Sequence, residues 1–305
     1  MTIAVAGGMG FIGRHLVGAL LKEGERVRTT WFHTHPAAHL LEAEWLWKDL
    51  RDIHSADDFV AGCDTVYVCA GETVGVGVAS KDRLVLVPST IVINTNLFDA
   101  CSRAGVKTMV VMSSSTGYPD VAHAVKEDEY ESGPLFPLYR EIGTVKRFVE
   151  NLGRMYEGMN VIFLRGTNVY GPHDDYDPAS SHVVAALIRK VAERMNPLPV
   201  WGDGEDSRDI IHVDDMARAL LLARKLTGHH SINIGLGESY TINEMLTALT
   251  LHSKFPPRIE YLEGPRAIRC RRVDVTKAKQ LMGFSAEIGM AQGLLRSLEW
   301  YAKSI

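Results

Sequence analysis

The sequence has few of the features that mark membrane, nucleic-acid-binding or disulfide-rich proteins. Its 305 residues carry a net charge of only −4, and no run of like charge suggests a nucleic-acid footprint. No apolar run approaches the ~20 residues of a membrane span. The four cysteines, Cys63, Cys69, Cys101 and Cys270, are scattered without metal-ligand spacing. We interpret them as reduced core residues and expect a cytoplasmic protein without metal, nucleic-acid or membrane partners.

The composition is otherwise ordinary for a soluble globular protein. Apolar residues make up 46% and charged residues 23% of the chain, and neither an internal repeat nor a low-complexity linker interrupts it. A chain of this length forms one large or two modest domains. We therefore expect any second domain to be built from insertions at one edge of a sheet.

The start of the chain, MTIAVAGGMGFIGR, predicts a strand, a glycine turn and a helix. Glycines turn the backbone sharply, allow close approach of a ligand and let the helix pack on the strand. The free N–H groups and positive dipole end of such a helix suit a pyrophosphate. A turn without a ligand is the simpler interpretation, but the strand before it and the helix after it favour a dinucleotide site. The predicted cofactor-binding residues of this turn are Gly7, Gly10, Phe11, Ile12 and Gly13.

Strands and helices alternate through the first half at the spacing of βαβ units. The predicted strands are residues 3–6, 26–32, 45–47, 64–71, 107–112 and 160–164. This alternation predicts an α/β fold with a Rossmann-type, doubly wound parallel sheet, whose ligands bind at the carboxyl ends of the strands. Ala70 and Gly71, which end the fourth strand, are predicted to line that cofactor edge.

We predict two domains from this pattern. Residues 1–166 and about 209–236 form the dinucleotide-binding domain. Residues about 167–208 and 237–305 form a smaller, mixed α/β substrate domain.

The end of the second strand bears on the choice of cofactor. Dinucleotide folds often place a carboxylate there for the adenosine ribose, but the sequence from Thr29 to His33 contains none. Arg28 and His33 lie close to this position in the sequence, so NADP is slightly favoured over NAD. His33 and His35 are equally well interpreted as solvated loop residues.

Several longer motifs follow in order through the rest of the chain. They read SSSTGY at 113–118, TNVYGPHD at 167–174, SHV at 181–183, VWG at 200–202 and RDIIHVDDMA at 208–217. Together with the glycine turn they resemble the extended short-chain dehydrogenase/reductase family of nucleotide-sugar epimerases, dehydratases and ketoreductases, and are most similar to the GDP-fucose synthase branch. The resemblance covers nearly the whole chain.

This resemblance implies a set of catalytic residues. Ser114 matches the serine that hydrogen-bonds the sugar hydroxyl or ketone, and Tyr139 matches the acid/base tyrosine beside the cofactor. His182 matches a histidine used in sugar epimerisation, and Thr116 stands where the GDP-fucose synthase branch has a cysteine. Simpler interpretations are a capped strand end for the two hydroxyl residues, a helix-face aromatic for Tyr139 and a helix start for His182.

Further binding residues are implied in the same way. Asp49 and Leu50 match an adenine-contacting pair, Asn168 the active-site rim, Arg208 an arginine on the nucleotide diphosphate, and Lys190 and Trp201 the nucleotide pocket. The implied substrate is a nucleoside-diphosphate sugar and the implied cofactor is NADP or NAD. We also predict a homodimer.

One position departs from the family pattern. The family places a lysine four residues after its tyrosine, and with Tyr139 as that tyrosine the position is held by Gly143. Such an ammonium stabilises the phenolate and brings its pKa toward the working pH. Lys146 comes seven residues after Tyr139, about 10 Å along a continuous helix, which makes it a poor direct substitute.

Two functions therefore stay open at the level of sequence. The first is an NAD(P)-dependent nucleotide-sugar oxidoreductase in which Ser114 and Tyr139 handle the proton. The second is a dinucleotide-binding sensor of the same fold. Ser114, Tyr139, His182 and Arg208 favour the enzyme, whereas Gly143 favours the sensor.

Overall fold

The structure is a computed structural model in which residues 2–71, 73–265 and 267–305 are described. Its strands are β1 (Thr2–Ala6), β2 (Arg26–Trp31), β3 (Glu44–Trp47), β4 (Thr65–Val68), β5 (Thr108–Ser114), β6 (Asn160–Gly166), β7 (Asn168–Tyr170), β8 (Leu198–Trp201), β9 (Ser207–His212), β10 (His229–Ile234), β11 (Ser239–Thr241), β12 (Ile259–Leu262) and β13 (Cys270–Arg271). Its α-helices are α1 (Phe11–Lys22), α2 (Ile53–Val60), α3 (Val76–Ala79), α4 (Val87–Ala104), α5 (Arg140–Gly153), α6 (Val183–Ala192), α7 (Val213–Ala223), α8 (Ile242–Ser253), α9 (Thr276–Met282) and α10 (Met290–Ser304).

Seven parallel strands form the central sheet, in the order β10-β6-β5-β4-β1-β2-β3. Helices cover both faces: α1 and α7 pack together over one, and α2, α4 and α5 over the other. The inner strands β1, β4, β5 and β6 are mostly apolar because neither face of the sheet meets water. The predicted Rossmann-type, doubly wound parallel sheet is confirmed, and its strand carboxyl ends share one edge.

The second part of the chain builds two small sheets. One has the order β11-β9-β13 with β7 also paired to β9, and the other pairs β12 with β8. Helices α6, α8 and α10 pack together beside them around a separate apolar core. The two-domain division stays a prediction. The predicted dinucleotide-binding domain includes β10 and most of β9. Strand β10 does lie in the large sheet, whereas β9 pairs within a small sheet.

The segment around Tyr139 differs from the continuous helix that the sequence analysis assumed between Tyr139 and Lys146. A 3₁₀ turn spans Pro137–Tyr139 and the α-helix begins only at Arg140. Tyr139 precedes that helix with φ −107° and ψ 8°, outside the helical region. The helical spacing assumed between Tyr139 and Lys146 therefore does not apply.

A buried ion pair fixes α5 against the sheet. Glu150 and Arg165 are each 1% exposed, and Arg165 Nη2 donates to Glu150 Oε2 at 2.7 Å. Ser113 of β5 and Ser231 of β10 also donate to the carboxylate, at 2.5 and 2.7 Å. Burial works to raise the pKa of Glu150, but the bonds from Arg165 outweigh it and hold that pKa below its usual value. One carboxylate thus ties α5 to β5, β6 and β10.

Within the described ranges, none of the helices combines the length and apolar character that a membrane crossing requires.

We expect Glu150→Ala to lower the free energy of unfolding by about 3–5 kcal/mol, because it leaves the buried Arg165 guanidinium without its counter-charge. Urea denaturation followed by circular dichroism measures this change. Glu157→Ala, at an exposed position after α5, is the matched control and should change stability by less than about 0.5 kcal/mol. Equal stabilities of the two variants would contradict the assigned role of Glu150.

Candidate active site

The glycine turn between β1 and α1 forms an open anion cradle. Gly7 has φ +80°, and a Cβ on Gly13 would lie 2.1 Å from the Gly7 carbonyl oxygen, so the turn closes only with glycine there. Gly10 precedes α1 and offers no side-chain cap. The first-turn N–H groups of a 12-residue helix therefore face the site with their positive dipole end. This geometry fits the pyrophosphate of a dinucleotide.

A cavity of about 300 Å³ lies at the carboxyl edge of the large sheet. Ten of the predicted site residues line it: Phe11, Ile12, Ala70, Gly71, Ser114, Thr116, Tyr139, Asn168, His182 and Arg208. The cavity thus joins the first turn of α1 to residues of the second part of the chain. Within the described ranges, no group of three or more His, Cys, Asp and Glu side chains is arranged to hold a metal ion.

The other predicted site residues lie outside the described lining of this cavity. Gly7, Gly10 and Gly13 form the turn behind it. His33 is exposed and its ring packs on Phe32; Asp49 accepts a bond from Arg51 at 2.7 Å.

Three further predicted residues, Leu50, Lys190 and Trp201, lie outside the described lining of the cavity. Leu50 is a core residue, 5% exposed. Lys190 Nζ donates to the Pro199 carbonyl at 2.7 Å. Trp201 is 54% exposed and packs closely on Gly264. Binding roles for these three residues stay predictions.

Ser114 and Thr116 form a hydroxyl pair at the end of β5. Thr116 Oγ1 donates to Ser114 Oγ at 3.0 Å, and the Thr116 backbone N–H donates to the same oxygen at 3.1 Å. Tyr130 holds the strand end from behind by donating to the Ser114 carbonyl at 3.0 Å. The serine hydroxyl is therefore oriented within the cavity.

Helix α5 presents Ile142 and Lys146 to the cavity. Gly143 faces elsewhere: a Cβ there would lie 2.6 Å from the Thr116 carbonyl oxygen, so a lysine does not fit. Lys146, which the sequence argument set aside, instead enters the cavity with Nζ 3.5 Å from the Met112 carbonyl. Burial lowers its pKa, and Glu150 opposes this. Lys146 and Glu150 are four residues apart and therefore lie on one face of α5. This spacing is the sequence signal that could have identified Lys146 as a site residue.

Tyr139 faces a different set of charges. Burial raises the pKa of its phenol, while Arg208 and Arg271 oppose the rise. Both arginines line the cavity and are nearly buried, 9% and 4% exposed. Arg271 donates to the Pro119 carbonyl at 2.9 Å, and Asp206 lies 3.6 Å from Arg208. This end of the cavity is suited to an anion.

A buried carboxyl group was also missed from sequence. Asp174 lines the cavity, its Oδ2 finds no partner among the described residues, and burial raises its pKa to about 7. His182 lines the same wall, and burial lowers its pKa. Both follow β7 in the sequence motifs, but only the fold brings them to the cavity.

The structure removes one argument for NADP. Arg28 does not point to the ribose end of β2: its Nε donates to Glu44 at 3.0 Å and its Nη1 to the Ala61 carbonyl at 2.7 Å. Its side chain is therefore hydrogen-bonded to β3 and to the residue that follows α2. The absence of a carboxylate over Thr29–His33 remains the basis of that prediction.

Helix α1 is also bonded to the loop after β7. Arg14 pairs with His173, whose pKa falls to about 4 through burial and this neighbouring cation. His15 Nε2 lies 2.9 Å from the Pro172 carbonyl oxygen and its Nδ1 3.0 Å from Asp214. The helix that offers its N-terminus to the cavity thus contacts the loop that leads to Asp174.

Comparison with known proteins identifies the family that shares this arrangement. The sequence profile of the NAD dependent epimerase/dehydratase family matches residues 3–235. The chain belongs to this family. The resemblance inferred from the motifs is thereby confirmed.

Relatives of this epimerase/dehydratase family member act on several nucleotide sugars. The GDP-L-fucose synthase of Escherichia coli (strain K12) is 28% identical over 84% of this chain and 86% of its own. The dTDP-4-dehydro-6-deoxy-D-allose reductase of Streptomyces bikiniensis is 29% identical over 98% and 96%. The structure of UDP-glucose 4-epimerase from Thermotoga maritima with UDP-glucose superposes with a TM-score of 0.89, at 26% identity over 100% and 99% of the two chains.

We expect Gly143→Ala to lower the free energy of unfolding by about 1–3 kcal/mol, because its Cβ meets the Thr116 carbonyl oxygen. Gly18→Ala, inside α1, is the matched control: its Cβ would meet only Leu40 at an ordinary 3.6 Å, so helix propensity should raise stability by up to ~1 kcal/mol. Urea titrations of both variants measure the contrast. A stabilised Gly143→Ala variant would show that the helix does not pack on Thr116.

We expect Asp174→Asn to stabilise the protein at pH 8 but not at pH 4. A carboxyl with its pKa raised to about 7 keeps its proton in the folded state while the unfolded chain loses it. Stability contributed by the neutral form is therefore lost as the pH rises from about 4 to 7. The variant should gain about 4 kcal/mol over the parent across that range, measured by urea titration at each pH. A constant difference would contradict the raised pKa.

Proposed function

We propose that this protein uses NAD or NADP to oxidise or reduce a carbon of a nucleoside-diphosphate sugar, as a 4-keto sugar reductase, an epimerase or a dehydratase. The observation that carries the proposal is the single cavity that runs from the first turn of α1 to two buried arginines, Arg208 and Arg271. Ser114 and Lys146 lie in the same cavity. A site for a dinucleotide and a site for a second anion are thus continuous.

The cofactor half of the cavity fits a dinucleotide. The open N–H groups of α1 suit its pyrophosphate, and Ala70 and Gly71 continue the lining along the strand ends. The nicotinamide, when bound, supplies or accepts a hydride. The slight preference for NADP over NAD stays a prediction.

The substrate half fits a nucleoside-diphosphate sugar. Two nearly buried guanidinium groups attract phosphate oxygens, and Asn168 and His182 line the cavity between them and the sheet edge. The names of the relatives, which include GDP-, dTDP- and UDP-sugar enzymes, support this class of substrate without selecting the base. The homodimer and the cytoplasmic location stay predictions.

Ser114 is proposed to hold the oxygen of the carbon that reacts. Its hydroxyl accepts bonds from Thr116 and can turn its own proton toward a sugar oxygen. Sequence analysis assigns the proton step to Tyr139, but the cations that face this phenol, Arg208 and Arg271, belong to the anion end of the cavity.

A binding protein that does not turn over its ligand is the second candidate. Ile142, the cavity-facing residue one helical turn before Lys146, favours it because an isoleucine carries no proton donor. The oriented Ser114, the cavity lysine and the two arginines favour the enzyme.

We expect NAD or NADP, added to the purified protein, to raise its melting temperature, or a nicotinamide dinucleotide to be released when the protein is denatured. Thermal-shift titration and chromatography of the denatured supernatant measure the two effects. The absence of both effects would be incompatible with the enzyme and with the sensor.

To separate the enzyme from the sensor, we expect at least one of a panel of UDP-, GDP- and dTDP-sugars, with 4-keto forms included, to be turned over. Ser114→Ala should reduce that turnover by about 10²-fold, because the sugar oxygen loses its hydrogen-bond donor. Ser132→Ala, at an exposed position outside the cavity, is the control. Binding of the dinucleotide without turnover of any sugar would favour the sensor.

A further inference from the structure

Helix α5 sets which side chains meet in the cavity. Residues four apart lie on one face of a helix, and Ile142 and Lys146 both line the cavity. Gly143 lies against the Thr116 carbonyl oxygen and the Leu135 side chain. The position one turn before the cavity lysine is therefore residue 142, and this chain places an apolar side chain there.

Lys146 reaches the last residues of β5, and both it and Ser114 line the cavity. Its Nζ is 3.5 Å from the Met112 carbonyl, two residues before Ser114. The carboxylate that acts on it is Glu150, whose oxygens already accept bonds from Arg165, Ser113 and Ser231. The ammonium is thus directed to the sheet end of the cavity.

Tyr139 lies on a separate element, the 3₁₀ turn that precedes α5. The charged groups that act on its phenol are Arg208, Arg271 and Asp206, all from the second part of the chain. Tyr139, Arg208 and Arg271 all line the cavity. Burial raises the pKa of the phenol, so the phenol keeps its proton and remains a hydrogen-bond donor at neutral pH.

We propose that Tyr139 is a substrate-binding residue, which donates its phenol O–H to the phosphate oxygens held by Arg208 and Arg271, and that Ile142 occupies the place from which a phenol would work with Lys146 and Ser114. This inference rests on the proposed function. In this arrangement the phenol serves the phosphate groups and the ammonium serves the reacting carbon. Turnover proceeds without a tyrosine at the reacting carbon, and position 142 limits its rate.

Equilibrium binding of UDP, GDP and dTDP, measured by isothermal titration calorimetry, tests the phosphate contact without requiring turnover. We expect Tyr139→Phe to weaken binding of the preferred nucleotide by about 10-fold, the loss of one hydrogen bond to a charged group. In turnover, its kcat/KM should fall mainly through KM. Tyr156→Phe, where the ring stacks on Phe98, is the control and should bind as the parent does.

The outcomes separate failure of the proposed function from failure of the phosphate contact. A parent protein that binds neither a dinucleotide nor any of the three nucleotides overturns the proposed function. A parent that binds them, with a Tyr139→Phe variant that binds equally well, overturns the phosphate contact. A Tyr139→Phe variant with unchanged KM and a kcat lowered about 10²-fold would overturn the proposal and assign Tyr139 to proton transfer.

The second arm adds a phenol at residue 142. We expect Ile142→Tyr to raise kcat by at least ~10-fold and to add an ionisation to the pH profile, because the new phenol lies one turn before Lys146. Ile142→Phe has the same ring without the hydroxyl, so the difference between the two variants isolates the proton donor from any change in packing. Circular dichroism melts confirm that both fold. Equal kcat values for the tyrosine and phenylalanine variants would overturn the assignment of position 142.

Discussion

The Glu150–Arg165 ion pair is the interaction on which the site depends. The carboxylate joins α5 to β5, β6 and β10, while the guanidinium also donates to the Tyr118 hydroxyl at 2.9 Å and lies 3.6 Å from the centre of the Tyr130 ring. Tyr130 in turn holds the Ser114 carbonyl. The hydroxyl of Ser114 and the ammonium of Lys146 are therefore placed by one buried charge pair, because both are attached to the elements that it connects.

Local sequence signals were sufficient for most of the fold. The apolar run of β1, the glycine turn and the start of α1 are consecutive in the chain, so steric and dipole arguments predict them together. Alternating strands and helices predicted the parallel sheet because such connections require a covered sheet on both faces. Ser114 ends β5 and Asn168 lies two residues after β6, two strands that the pattern predicted, and both residues line the cavity.

The part of the site that depends on helix register was harder to predict. Pro137 and Tyr139 looked continuous with the helix, but a 3₁₀ turn separates them from α5 and changes which residues share a face. Only the contact between Gly143 and Thr116, which are distant in sequence, shows that position 143 has no room for a side chain. Lys190 and Trp201 likewise came from the family resemblance alone, and neither lines the described cavity.

The bonds from α1 to the loop after β7 have a consequence for ligand binding. Arg14 and His15 follow directly on the glycine turn, and they contact His173 and Pro172, beside Asp174 of the cavity lining. If a bound cofactor shifted the first turn of α1 and this loop together, the two ligands would be thermodynamically linked, and each would change the affinity of the other by the same factor.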